Sequence, residues 1–374
     1  MSRDYHVINV GSHVNPPGTM WMDYAPKAYR PDAPLLTTKV FPDDEYEVLV
    51  VEGVEHRMMA QQLGLPREPF FARKFTDGLL AGRDPKARIE AQERDNVDAD
   101  VLLHPGYPEM LPKDRNIRFG MMYAFNSWLA EFCQHAPDRL IGIGEIPMWD
   151  TDLAVKEIKR LQELGLRGVL IPPVPGYYGC WSSPADKPYI SEFYEPIWQA
   201  LEDHNLVMVI HADAASATPG LSGYSSADAA RVNLIINKTL PAEAIASLIV
   251  GRVFERHPGL KLVCCETGVG WMAHLVSWMD VLQREQSTMY KHLKRAMVEY
   301  FHDHVFGSFL WETCGVLNKE LIGVDNMMWC NDFPHSYGPW PNSQNQIQRD
   351  LEGLTAGEKH KILAGNAARV FDLL

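Results

Sequence analysis

The sequence predicts one (β/α)8 barrel over residues 1–374, with an insertion after its first strand. Three observations predict it. Eight short apolar runs recur along the chain. Amphipathic stretches of about 12 to 18 residues separate them, the alternation of βα units around a parallel sheet. No turn after an early run reads GxGxxG, the phosphate loop that the competing doubly wound sheet would carry there.

Strand one is read at His6 to Val10. The stretch from Pro16 to Gly82 then breaks the rhythm, with many prolines, charges of both signs and the aromatic residues Trp21, Tyr24, Phe70 and Phe71. It is too long for an ordinary βα loop. Because an insertion here emerges on the catalytic face, a cap over the mouth and a surface or dimer arm are its two readings. A helix at Pro85 to Asn96 leads to strand two, Ala99 to Leu103, and one at Asn126 to His135 to strand three, Leu140 to Ile143. Asp150 to Leu164 precedes strand four, Gly168 to Ile171. The run Pro172 to Pro188, with Tyr177, Tyr178 and Trp181, is a second candidate lid. Helical segments Glu192 to His204, Leu240 to Arg256 and Trp271 to Gln286 lead to strands five to seven, at Leu206 to Ile210, Leu260 to Cys265 and Val305 to Phe309. Met327 to Cys330 is strand eight.

With 46% apolar and 22% charged residues, the composition excludes disorder, collagen and a bare coiled coil. Lys plus Arg number 35 against 48 Asp plus Glu, and the net charge of -13 argues against nucleic acid and membrane surfaces as partners. MSRDYHVINV carries charges where a secretory signal needs an apolar stretch, and no window of about 18 apolar residues follows. A soluble, cytoplasmic protein is expected, with a homodimer or higher homo-oligomer as the default assembly. The six cysteines, at 133, 180, 264, 265, 314 and 330, form no CxxC pair. Cys264 and Cys265 would point to opposite faces of a strand, so neither a disulfide scaffold nor a cysteine zinc site is expected.

In a barrel, the polar residues at the carboxyl ends of the strands meet at one mouth. Here strand one ends in Asn9-Val-Gly11-Ser-His13, strand two in His104, strand three in Glu145, strand five in His211, strand six in Glu266 and strand eight in Asp332. Imidazoles and carboxylates from separate strands are a ligand set for zinc or manganese, which with an open position can acidify a water or hold a substrate oxygen. His104, in a His-Pro-Gly turn, and Glu145 are read as structural. His211 and Asp332 sit where strands emerge and are read as functional, the plainer alternative for Asp332 being a cap. Glu266 is a base or a ligand, or else an acidic neighbour of the next helix N-terminus. Gly268 and Gly270 resemble half a phosphate loop. His302-Asp-His304 has ligand-like spacing but lies at the start of strand seven, away from the mouth, and is read as structural or solvated. No GxSxG elbow or His-paired cysteine supports nucleophilic catalysis.

With these residues in place, the chain resembles the amidohydrolase superfamily, in the branch of aminocarboxymuconate-semialdehyde decarboxylase. The resemblance is carried by Leu260-Lys-Leu-Val-Cys-Cys-Glu266-Thr-Gly-Val-Gly-Trp271 with Asp280 downstream, by Met328-Trp-Cys-Asn-Asp332-Phe-Pro-His335 with Trp340-Pro, and by Ile362-Leu-Ala-Gly-Asn366-Ala-Ala-Arg369. Arg139-Leu-Ile-Gly-Ile-Gly144 and Glu163-Leu-Gly-Leu-Arg-Gly168 add to it. It implies His13, His211 and Asp332 as ligands of one divalent ion. Two positions depart from the family pattern: Gly11 stands where the first strand usually offers another ligand, and Glu266 where many relatives hold an acid-base histidine.

The expected function is metal-dependent hydrolysis of a small aromatic or ring-derived carboxylated compound, with Glu266, Asp332 and His211 catalytic. Trp271, Tyr177, His335 and Trp340 are the expected substrate contacts. A non-oxidative decarboxylase would share nearly all of this site and is the alternative. A metal-free binding module, motivated by Gly11, is the second alternative.

Overall fold

The structure, a computed structural model, describes residues 3–32, 34–40, 45–58, 79–104, 113–175, 187–211, 227–335 and 338–374. Its strands are β1 (Ile8–His13), β2 (Leu35–Val40), β3 (Glu45–Val51), β4 (Val54–Met58), β5 (Ala99–Leu103), β6 (Leu140–Glu145), β7 (Gly168–Leu170), β8 (Val207–His211), β9 (Leu262–Cys265), β10 (Val305–Phe309) and β11 (Met327–Trp329). Eight of them, β1 and β5 to β11, pair side by side in parallel and in chain order, with helices between them. The sheet closes where β11 runs out: the Asp332 N–H donates to the Gly11 carbonyl at 3.1 Å and the His13 N–H to the Phe333 carbonyl at 2.7 Å. This is the expected (β/α)8 barrel.

Strand alternation sorts the apolar side chains into two layers. Val10, Val101, Leu103, Ile141, Ile143, Val209, Val263, Cys265 and Met328 face inward as one buried cluster. Their chain neighbours Leu102, Leu140, Met208, Ile210, Cys264 and Trp329 pack outward with the helices. Tyr5, which precedes β1, and Ala367 and Phe371 join the inward cluster, so the amino-terminal end of the barrel is filled. The carboxyl end is where inward positions turn polar.

Within the insertion, β2, β3 and β4 form a separate antiparallel sheet, its last hairpin turned by Glu52 and Gly53, both at positive φ. Glu52 accepts from the Lys113 and Asp114 N–H groups at 2.7 and 2.9 Å, which ties this hairpin to the connection after β5 on the carboxyl face of the barrel.

Element ends differ from the sequence reading where side chains decide them. The helix expected from Asn126 begins at Arg115, because Asp114 caps the Asn116 and Ile117 N–H groups. The stretch Leu240 to Arg256 divides into Pro241–Val250 and Val253–Arg256 around Arg252, which sits at φ 60. His302 and His304 lie in the helix Met297–His304 rather than on a strand; they bond the Leu321 and Leu260 carbonyls. No helix among the described residues is long and apolar enough to cross a membrane.

Candidate active site

At the end of β1 the pairing register shifts between Val10 and Ser12, with Gly11 at φ 133. That irregularity delivers His13 to the mouth, fully buried. Its Nδ1–H donates to the His104 carbonyl at 2.7 Å, since a carbonyl can only accept. Nε2 is thereby aimed at two carboxylates, 3.1 Å from Glu266 Oε1 and 3.1 Å from Asp332 Oδ1.

Glu266 follows β9 directly and Asp332 lies just beyond β11, and both adopt left-handed backbone, at φ 57 and φ 53. Such positions cost about 1 to 3 kcal/mol each and persist where the surroundings over-determine them. Here the Glu266 N–H donates to Ser308 Oγ at 2.9 Å, and the Asp332 N–H to Gly11 as above. Glu266 Oε2 lies 3.1 Å from His211 Nε2, and Asp332 Oδ1 lies 2.6 Å from His335 Nδ1. A Cβ built on Gly11 would fall 2.7 Å from both Cγ and Oε1 of Glu266. The strand-one position without a side chain is thus the space that the Glu266 carboxylate occupies.

His13, Glu266, Asp332 and His335 each offer a donor atom, and these four atoms lie within 4.8 Å of one another. With its proton on Nδ1, His13 turns a lone pair toward two anionic oxygens, an arrangement that demands a positive charge between them. Burial alone would lower the His13 pKa, but Glu266 and Asp332 outweigh it and raise it to about 10. Glu266 shows the converse: burial pushes its carboxyl up, while His13 and His211 together hold it well below the usual carboxylate range. Burial, with the charges of His13 and His211, pushes His104 down to about 3, so it stays neutral. Asp332 Oδ2 and His335 Nε2 are buried without a hydrogen-bond partner among the described residues. Two carboxylates facing imidazoles, with spare donor atoms, fit a divalent ion with nitrogen and oxygen ligands, whose positive charge would take the place of the proton that these carboxylates otherwise hold on His13.

The structure therefore brings His13, Glu266, Asp332 and His335 together, with His211 joined through the second oxygen of Glu266. His335, expected as a substrate contact, stands among the donors; its spacing of three from Asp332 was the available signal. Trp271 donates its indole N–H to the Thr267 and Gly268 carbonyls, both at 3.1 Å, and packs on the outer core. Trp340 is set apart from the donors: it packs with Phe333, Ala81 and Ala91 and donates to the Ala91 carbonyl at 3.1 Å. Tyr177 and most of the second candidate lid lie outside the described residues. The Gly268 and Gly270 turn does not read as a phosphate loop in three dimensions. The Glu312 carboxylate already accepts from the Val269 and Gly270 N–H groups at 2.7 and 2.6 Å. Glu145 is buried, with Oε1 3.8 Å from His104 Nε2.

Residues 102–373 match the family model described as Amidohydrolase. Over 307 residues the chain is 26% identical to gamma-resorcylate decarboxylase of Rhodococcus jostii (strain RHA1), covering 76% of this chain and 87% of that protein. It is 30% identical over 306 residues to 2-amino-3-carboxymuconate-6-semialdehyde decarboxylase of Dictyostelium discoideum, covering 78% of this chain and 77% of that protein. The fold is shared with a dihydroxybenzoic acid decarboxylase of Polaromonas sp. JS666, solved with bound manganese and the inhibitor 2-nitroresorcinol. That structure has a TM-score of 0.65 and 17% identity, with 99% of this chain and 98% of that chain covered.

Proposed function

This chain belongs to the amidohydrolase family, and we propose that within it the protein is a divalent-metal-dependent, non-oxidative decarboxylase of a small hydroxylated or ring-derived aromatic acid. The observation that carries this reading is the buried donor cluster, in which Glu266 fills the space beside Gly11. The sequence leaned to hydrolysis because no histidine follows the sixth barrel strand. The two decarboxylases matched over three quarters of the chain support the alternative instead.

In this reading His13, Glu266 and Asp332 hold the ion, with His211 beside Glu266 as a further donor. The fold neighbour with manganese supports that metal, and zinc suits the same donors. The ion, when bound, supplies Lewis-acid polarisation of a substrate oxygen. Loss of carbon dioxide breaks the bond between ring carbon and carboxylate, and a proton must take the vacated place. Glu266, held ionised by two imidazoles, is suited to binding the ion rather than to giving a proton. His335 is better placed: Asp332 fixes its Nδ1 at 2.6 Å, and its Nε2 has no described partner. It would carry the proton to the ring carbon.

The test is elemental analysis of protein purified without chelator, followed by carbon dioxide release from a panel of hydroxybenzoates before and after manganese or zinc is added. About one ion per chain and metal-dependent release are expected. Less than about a tenth of an ion, with no release restored by either metal, would favour the metal-free binding module.

A further inference from the structure

Beyond the donor cluster, Glu145 is a polar group among the described residues of the mouth that no step above uses. On β6, Ile141 and Ile143 face the barrel interior, so alternation turns Glu145, the last residue of the strand, inward at the carboxyl end. Its backbone is clamped on both sides by one side chain: the Glu145 N–H donates to Asn126 Oδ1 at 2.8 Å and Asn126 Nδ2 donates to the Glu145 carbonyl at 2.8 Å. The carboxyl is therefore directed, not free to swing out to solvent, and only 2% of the residue is exposed. Yet Oε1 has no hydrogen bond among the described residues. His104 Nε2, at 3.8 Å, is beyond hydrogen-bonding range, and the carbonyl of that same His104 receives Nδ1–H of His13. A buried carboxyl oxygen with no partner among the described residues, set beside the residue whose carbonyl holds His13, calls for an occupant that supplies the missing contact.

We propose that Glu145 is a substrate-contacting residue whose carboxyl group donates a hydrogen bond to an oxygen of the bound aromatic acid. The inference rests on the decarboxylase reading above and adds to it a specificity residue for an oxygen-bearing ring. Burial pushes the Glu145 carboxyl well above its ordinary pKa, which favours the protonated form that can donate to an anionic oxygen. Asn126 and His104 are positioning residues, the first through the Glu145 backbone and the second by walling its carboxyl.

Steady-state decarboxylation by manganese-loaded protein tests this on a panel that includes 2,6-dihydroxybenzoate, with metal content and thermal midpoint measured for each variant. Glu145→Leu is expected to raise KM about tenfold or more with kcat changed less than about threefold and metal content unaltered. Glu145→Gln, which keeps an N–H donor, should recover most of that loss. A wild-type KM in Glu145→Leu, or a loss of activity that follows loss of metal, overturns the inference. Should Glu145→Leu fail to fold, Glu145→Asp decides, because it draws the carboxyl back by one methylene: an unchanged KM overturns the proposal and a raised one supports it. If the metal-loaded wild type releases carbon dioxide from no acid in the panel, the decarboxylase reading fails and this inference fails with it. Wild-type activity with unaltered variants sinks the inference alone.

Discussion

The two faces of the seam between β1 and β11 each carry a buried polar cluster, and they differ in how completely it is satisfied. On the outward face, Asn9 Nδ2 donates to Asp100 Oδ1 at 2.8 Å and to Asn331 Oδ1 at 2.6 Å, while the Asn331 N–H returns a bond to Asn9 Oδ1 at 2.8 Å. Arg88, fully buried, donates to Asp100 Oδ2 at 2.7 Å, to the His13 carbonyl at 2.9 Å and to Ser12 Oγ. Asp95 accepts from the Ser343 N–H at 2.9 Å and from its hydroxyl at 2.5 Å. Gln92 Nε2 also donates to Asp100 Oδ2 at 2.8 Å, and among the described residues of this network Gln92 Oε1 alone lacks a partner. On the inward face, Asp332 Oδ2 and His335 Nε2 have no hydrogen-bond partner among the described residues, and His13 faces two carboxylates. A saturated network fixes one backbone arrangement, whereas an unsaturated one stores capacity for a ligand. The first locks β1 to β11 and so sets the spacing of the second.

Breaking the outward cluster should have the largest effect. Arg88→Met leaves the Asp100 carboxylate buried without its charge partner and strips the Ser12 and His13 contacts. Loss of about 3 to 5 kcal/mol of unfolding free energy is expected in denaturant titration. A loss below about 1 kcal/mol would mean that the network is ornamental to the fold and that the contrast between the two faces fails.

Glu266→Gln probes the inward face and should show the reverse pattern. Turnover on a decarboxylated substrate should fall about 10²-fold or more, equivalent to about 2.7 kcal/mol, with metal lost in elemental analysis. Stability should fall by less than in Arg88→Met, because Gln keeps the size and the imidazoles left without their carboxylate can shed their protons. Retained metal with the same loss of turnover would reassign Glu266 from ligand to acid or base. Near-normal turnover would make it structural.

Gly11→Ala tests whether the two positions exchange one space. The new Cβ would sit 2.7 Å from Glu266, at a φ of 133 that side chains rarely adopt. A cost of about 1 to 3 kcal/mol with weakened metal retention is expected. In a Glu266→Ala background the steric part of that cost should vanish, giving a coupling of at least about 0.5 kcal/mol in a double-mutant cycle. Strict additivity would show that Gly11 serves the backbone turn alone.

The barrel was legible because strand burial writes itself as apolar runs: Ala99–Leu103 and Val305–Phe309 match their runs end to end. Strand ends also singled out His13, His211, Glu266 and Asp332, whose side chains the structure brings together. The sequence could not show that Gly11 and Glu266, 255 positions apart, are one steric unit, since that depends on a close approach across the barrel. His104 contributes through its carbonyl, to which its side-chain identity is no guide. The partial phosphate-loop resemblance at Gly268 and Gly270, which lacks a third glycine and a Lys, has a local explanation: the anion at the Val269 and Gly270 amides is Glu312 of the same chain. Trp340, expected as a substrate contact, packs with Phe333, Ala81 and Ala91; an aromatic residue near the last strand end can face either the mouth or the first helix, and periodicity does not say which.

That residue gives the smallest and most selective test. Trp340 lies on the outward side of the seam, tilted against Phe333 at 5.2 Å, with the Arg94 guanidinium 5.1 Å above its ring and its N–H on the Ala91 carbonyl. Trp340→Phe keeps an aromatic ring there but removes the donor, leaving one helix carbonyl without that bond. A neutral hydrogen bond of this kind contributes about 0.5 to 1.5 kcal/mol, so a destabilisation in that range is expected. Because the ring packs with the outward network and not with the donor cluster, KM and kcat should stay within about twofold of wild type. A KM that rises about tenfold while stability holds would put Trp340 in contact with substrate, and would erase the division of labour between the two faces of the seam.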